Sequence, residues 1–251
     1  MKYWENTVRQ LADDPDRFII AVTNQDLIKA VKTGDPTTGF AAVMRLAITK
    51  QGEMTYVSCQ NPVYWGNVFF QGDYPEVEEY FVAFQKKLMK SMPRMRGRFN
   101  RSFGSTEGIT TEKLQHYRYG FRMPYFEEMV KLGTFSNFSE AKKVIEKNLA
   151  SSDVLVKVFE KEVPGKNVKL YGIGLRGPKG ESSFFPTIDT GDWKHTASLP
   201  LEILVADKKV LMLDGKFRIP VSFPDMPKRT FKKIRSTPDD IKALFETLVK
   251  Y

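Results

Sequence analysis

The side chains able to move protons or hold metals are few. The chain of 251 residues has two histidines and one cysteine. His195 stands in Gly191-Asp192-Trp193-Lys194-His195-Thr196, beside a carboxylate and an indole. Such a grouping can pass a proton between His195 and Asp192, or hold a planar ligand against Trp193. A polar turn uses the same residue types for no chemistry at all. His116, flanked by Gln115 and Tyr117, has less around it. Cys59 has no histidine or cation cluster near it in sequence to activate a thiolate, so it reads as a packed thiol. One cysteine excludes an intrachain disulfide, and these scattered residues lack zinc-ligand spacing. Neither a metal nor a cofactor is expected. Gly172-Ile-Gly174-Leu-Arg-Gly177 has the letters of a dinucleotide signature, but its glycines fall inside a strand pattern and Pro178 follows where a helix should start.

Binding is better provided for than catalysis. Tyr64 and Trp65, followed by Phe69 and Phe70, offer apolar surface in a segment read as a loop. With Phe121, Trp193 and His195 they could wall a ligand pocket, and a core role suits the same residues. The segment Lys86 to Arg101 holds seven cations and no acid, which leaves about +2 of the net charge of +9 for the remainder. Lys90, Arg94, Arg96, Arg98 and Arg101 interleave there with Phe99, and Phe103 follows, a mixture that grips a phosphate backbone and stacks bases. A solvated linker would carry the same charges. Lys228, Arg229, Lys232, Lys233 and Arg235 form a second cluster.

The elements that must position these residues follow one pattern used twice, 157 residues apart. Met44, Leu46 and Ile48 fall on Leu201, Ile203 and Val205, and Met54 and Tyr56 fall on Leu211 and Leu213. After a further shift of four residues, Tyr80, Phe84 and Leu88 fall on Ile241, Phe245 and Val249. Self-similarity on this scale predicts two copies of one small unit. In the first copy, Tyr3 to Leu11 reads as a helix and Phe18 to Val22 as a strand. A helix over 27–32, a hairpin over 42–58 and a helix over 76–91 follow. The second copy reads as a helix over 140–149, strands over 154–163 and 168–175, and a hairpin over 199–213. A strand over 216–223 and a helix over 239–250 complete it. The class is α+β, with units at 1–91 and 135–251 and a basic connector at 92–134.

The stretch TNQDLIKAVKTGDPTTGFAAVMRLAITKQGEMTYVSCQNP resembles the DUF302 or TT1751-like family over residues 23–62. Asn24 takes the place of that family's Cys-Asn-Pro asparagine, with Thr23 and Gln25 in place of its cysteine and proline. Leu199-Pro200 in the second copy keeps part of a Leu-Pro-Cys and lacks the cysteine. The resemblance implies a compact α+β fold that tends to dimerise, with no thiol role carried over. A tandem fusion would then make the two sheets meet at a pseudo-twofold interface.

Composition fits these readings: 41% hydrophobic residues supply a core, and no apolar run is long enough to span a membrane. Charges stand where a secretory leader would be apolar, so a cytoplasmic protein is expected. The expected function is binding of a small apolar or anionic ligand, or a protein partner, between the units without catalysis. The expected state is a pseudo-dimeric monomer or a homodimer. Nucleic-acid binding through 86–101 is the alternative, and a His195/Asp192 enzyme the third.

Overall fold

A computed structural model describes residues 5–10, 14–92 and 102–251. The first sheet contains β1 (Glu5–Gln10), β2 (Arg17–Thr23), β3 (Met44–Gln51) and β4 (Met54–Cys59), antiparallel in that order. Within the segment read as an opening helix, residues 5–10 are thus a strand. Three apolar residues over about two and a half turns cannot hold a helix alone, whereas the ladder from Glu5↔Thr23 to Gln10↔Phe18 pairs the backbones of both strands.

Helix α1 (Gln25–Thr33) is capped by Asn24, whose side chain accepts from the amides of Asp26 and Leu27. A 3-10 segment, Pro36–Ala42, leads into β3. Helices α2 (Pro62–Phe70) and α3 (Glu78–Ser91) follow β4. In α3 the inward residues are Phe81, Phe84 and Leu88, with Tyr80 half-buried at the margin.

Beyond the short α4 (Thr111–Gln115) comes β5 (Val130–Thr134), drawn from the end of the connector to edge the second sheet. Helix α5 (Phe138–Ala150) is capped by Asn137. Strands β6 (Leu155–Glu162) and β7 (Val168–Leu175), helix α6 (Glu181–Ile188) and a 3-10 segment, Thr196–Ser198, come next. Strands β8 (Leu201–Ala206) and β9 (Lys209–Met212) and helices α7 (Gly215–Ser222), α8 (Lys228–Lys233) and α9 (Thr237–Glu246) complete the chain. The sheet order is β5-β9-β8-β7-β6, again antiparallel.

The order strand, strand, helix, 3-10 segment, hairpin, helix, helix therefore occurs twice among the described residues, with α8 inserted in the second round. Both hairpins close with two residues, the first left-handed: Gly52 at φ +58° and Asp207 at φ +52°. Helix α7 corrects the strand expected at 216–223. Asp214 caps it by accepting from the Lys216 amide at 2.7 Å, and nearly every side chain in it is buried. A helix buried all round has no one-sided period, so its apolar run reads equally well as a strand. The same reason hid α2, whose residues from Trp65 to Phe70 are all buried.

Each unit packs its own helices on one sheet face and turns the other face to its neighbour. Met44 and Leu46 join the core around α1, α2 and α3, while Ala47, one residue out of phase, joins the core of the second unit. Leu201, Ile203 and Val205 line the second core, and Leu204 and Ala206 point into the first. The 3-10 segments close the seam reciprocally. A methyl on Gly39 would lie 2.6 Å from Val168 and 2.7 Å from Leu204, so only glycine lets the first segment sit so close to the second sheet. In return Thr49 donates to Thr196 across 2.7 Å. Cations cap the opposite helix ends: Lys166 donates to Val31 O and Gly34 O beyond α1, and Arg17 to Asp189 at the end of α6.

Candidate functional site

Two positions that are equivalent in the repeat come face to face. Arg45 and Glu202 stand 157 residues apart in the repeat, and their side chains meet at 2.5 Å with 2% and 3% of each exposed. Asn61 and Asp214 cap α2 and α7. Four residues after each cap come Trp65 and Arg218, and the Arg218 guanidinium lies over the indole, 5.3 Å from the ring centroid. Arg218 also binds Glu202 through Nε at 3.0 Å and Nη2 at 3.1 Å, and donates to Ser198 O and Ser222 Oγ. Arg45 Nε donates to Ala197 O at 3.3 Å, leaving its Nη1 without a protein partner.

Two guanidiniums and one carboxylate are thus buried together with a net charge of +1. Burial drives the Glu202 carboxyl upward, but the charges of Arg218 and Arg45 and their hydrogen bonds outweigh it and hold the group below the usual carboxylate range. Burial, with repulsion from Arg218, brings Arg45 down to about 10 against the pull of Glu202. The seam is filled rather than hollow here. The adjoining cavity, between β8, β9, α7 and α9, has about 10 Å³ of free space, enough for about one water.

Of the residues expected to wall a pocket, Tyr64 and Trp65 lie in this seam as packing. Tyr64 donates to Val221 O at 2.8 Å, joining α2 to α7, and burial pushes its phenol up. Trp65 stacks on Phe69 at 5.2 Å. Trp193 meets Tyr56 edge-on at 5.3 Å, across the units. His195 stacks on Phe223 at 4.5 Å and under Phe103 at 5.1 Å. Its carboxylate neighbour is Asp189, not Asp192. Asp189 Oδ1 accepts from the His195 amide at 2.8 Å and lies 3.4 Å from Nδ1, while Asp192 is exposed. The turn Gly191–Lys194 points Asp192 outward, and Lys194 ties it shut by donating to Asp189 O and Gly191 O. His195 Nε2 is buried without a protein partner against Gly104. Cys59 is half-buried at the end of β4, and burial raises its thiol.

Phe121 is nowhere near the seam residues' packing: 84% of it is exposed. It tips a turn closed by the Met123 amide bonding Gly120 O at 3.0 Å, with Arg122 left-handed at φ +64°. The guanidiniums of Arg118 and Arg122 lie 5.9 and 5.4 Å from its ring centroid, and Arg118 is also 4.7 Å from that of Tyr125. Tyr119 anchors this turn to α8, meeting Phe231 edge-on at 5.4 Å and donating to Met226 O at 2.7 Å. Lys228 Nζ comes within 3.9 Å of the Cβ position at Gly120. The result joins two acid-free stretches, 114–126 and 226–238. Arg118, Arg122, Lys228, Arg229, Lys232, Lys233 and Arg235 are all exposed. Beside it runs an open groove of about 780 Å³, lined by Pro224, Asp225 and part of the stretch from Ser105 to Arg118, including Glu107, Glu112, Lys113 and His116.

Phe121 and the 228–235 cluster are far apart in sequence; their adjacency depends on Tyr119 finding Phe231, which spacing does not reveal. Lys90 is exposed near the end of α3, and its neighbour Lys87 pairs with Asp26 at 2.6 Å. Arg94, Arg96, Arg98 and Arg101 lie outside the described residues. Among the described residues no group of three His, Cys, Asp or Glu side chains could hold a metal, and no helix is long and apolar enough to cross a membrane. Comparison with models of protein families, with curated proteins and with solved structures finds no match to this chain.

Proposed function

We propose that this is a non-catalytic binding protein whose working surface is the basic aromatic face of the connector and α8, and whose partner is an anionic macromolecule. The observation that carries it is the packing of two acid-free stretches, 114–126 and 226–238, into one exposed face. Among the described residues none of its cations has a carboxylate within salt-bridge distance, whereas Lys87, Lys142, Lys157, Lys169 and Lys179 all do. Unpaired cations on one surface raise the local concentration of polyanions. The closed seam favours this face over a ligand site between the units, because Tyr64 and Trp65 already spend their surface on α7. The DUF302-like resemblance by itself points to no reaction.

Heparin affinity tests the reading. Reversing Lys228, Arg229, Lys232 and Lys233 to glutamate should lower the eluting salt well below that of a control reversing Lys29, Lys32, Lys143 and Lys208, which are equally exposed elsewhere. Equal elution of the two variants would refute it.

A further inference from the structure

We infer that the partner of this face is single-stranded nucleic acid, with an unpaired base stacked on Phe121 and its flanking phosphates held by Arg118, Arg122 and Lys228. The inference rests on the proposed function and narrows it. Charge alone would suit any polyanion, so the distinguishing feature is the ring. Phe121 is one of the two most exposed large apolar residues described, the other being the C-terminal Tyr251. It is held out by a turn that puts the non-glycine Arg122 in the left-handed region, a conformation of net cost to the chain. Folding gains little apolar burial from this arrangement, since 84% of Phe121 is exposed.

Geometry fits a nucleotide. Guanidiniums 5.4 and 5.9 Å from the ring centroid set two cations against the ring on which a base would lie. Arg118 bridges to Tyr125, itself partly exposed, with Nη1 3.3 Å from its hydroxyl and the guanidinium over its ring. That supplies a second aromatic platform on the same cation. Tyr119 locks the turn to α8, so Lys228 extends the charge on the far side of Gly120. A duplex keeps its base faces inside its own stack and would meet only the charges. A single strand offers both phosphates and free π-faces, and every base has one, so sequence preference should be slight. An acidic protein segment would use the cations and leave the ring in water.

The test is fluorescence anisotropy of a labelled oligothymidylate, a blunt duplex of equal length and a labelled poly-glutamate, each titrated with the whole protein at low salt. The inference expects the single strand to bind at least tenfold tighter than the other two, with affinity falling steeply as salt rises. F121A should weaken single-strand binding about tenfold, the loss typical of one stacked base, and F121W should restore it. Phe121 buries little, so circular dichroism of both variants should match that of the unaltered protein. Equal affinity for single strand and duplex, or for poly-glutamate, would overturn the inference while leaving the polyanion face in place. Unchanged oligothymidylate binding by F121A would overturn it too. Absence of any binding to all three probes, with heparin retention unaffected by reversing the α8 cations, would remove the proposed function as well.

Discussion

Replacing Glu202 by glutamine removes one charge and almost no volume from the point where the units meet. Its carboxylate is the counter-ion for both Arg45, at 2.5 Å, and Arg218, through two contacts of 3.0 and 3.1 Å. Without it two guanidiniums are left buried with no opposite charge. Breaking a buried pair of this kind costs about 3–5 kcal/mol. In a chain of this length each kcal/mol lowers Tm by about 2–4 °C, so the fall should be about 6–20 °C. Replacing Arg45 by methionine is the informative comparison. It leaves the Glu202–Arg218 pair intact and removes the Nη1 that has no partner, so its cost should be no more than about half as large. Urea unfolding followed by tryptophan fluorescence and far-ultraviolet circular dichroism reads both, and Trp65, lying on Arg218, reports the seam directly. An E202Q variant within about 1 kcal/mol of the parent, or an R45M variant costlier than E202Q, would refute this electrostatic reasoning.

Other perturbations have equally definite outcomes. A methyl on Gly172 would sit 2.1 Å from the buried Phe159 ring, so G172A should destabilise by about 1–3 kcal/mol in the same urea assay; an unchanged midpoint would contradict it. D189N should cost about 1–3 kcal/mol, because asparagine keeps one oxygen for the His195 amide but turns an NH2 donor and no charge toward Arg17, whereas D192N should stay within about 0.5 kcal/mol; the reverse order would restore the His195/Asp192 pairing. Stability should fall at both pH extremes. Burial opposes ionisation of Asp189 as of Glu202, but bonds from His195 and Arg17 prevail in the first and the arginines in the second, so both carboxyls stay low. Stability they supply above the unfolded values is lost as pH falls through the folded ones. Tyr64, Tyr117 and Tyr171 are pushed up by burial, so their contribution is whole below the unfolded value of 10.0 and is lost as pH rises past it. A flat profile between pH 8 and 11 would contradict the alkaline arm.

The α+β class, the hairpins and the helices from Gln25, Phe138 and Thr237 were legible because their cause is local: caps at Asn24 and Asn137, one-sided apolar faces, and turns at Gly52 and Asp207. The repeat was legible because equivalent strands must bury equivalent faces. What stayed hidden has a non-local cause. β1 is a strand only because β2 offers it a ladder. Helices α2 and α7 are buried by each other's unit, and this erases the polar face that would mark them. Arg45, Glu202 and Arg218 look like ordinary surface charges in a list of residues, and only the repeat offset hinted that the first two are equivalent. In the folded chain those equivalent positions meet each other. His195 was noticed for the company of Asp192, yet the chain turns there and delivers Asp189 instead. Phe121 was picked out for its type, while its basic surroundings depend on a contact between residues 112 positions apart, Tyr119 and Phe231.

Amide hydrogen exchange of the whole protein, with and without oligothymidylate, separates the connector face from the seam in one experiment. Added single strand should slow exchange in 117–123 and 228–235 and leave 44–49 and 198–206 as they were. Protection appearing in the strands of the seam, with the Phe121 turn unaffected, would contradict the account.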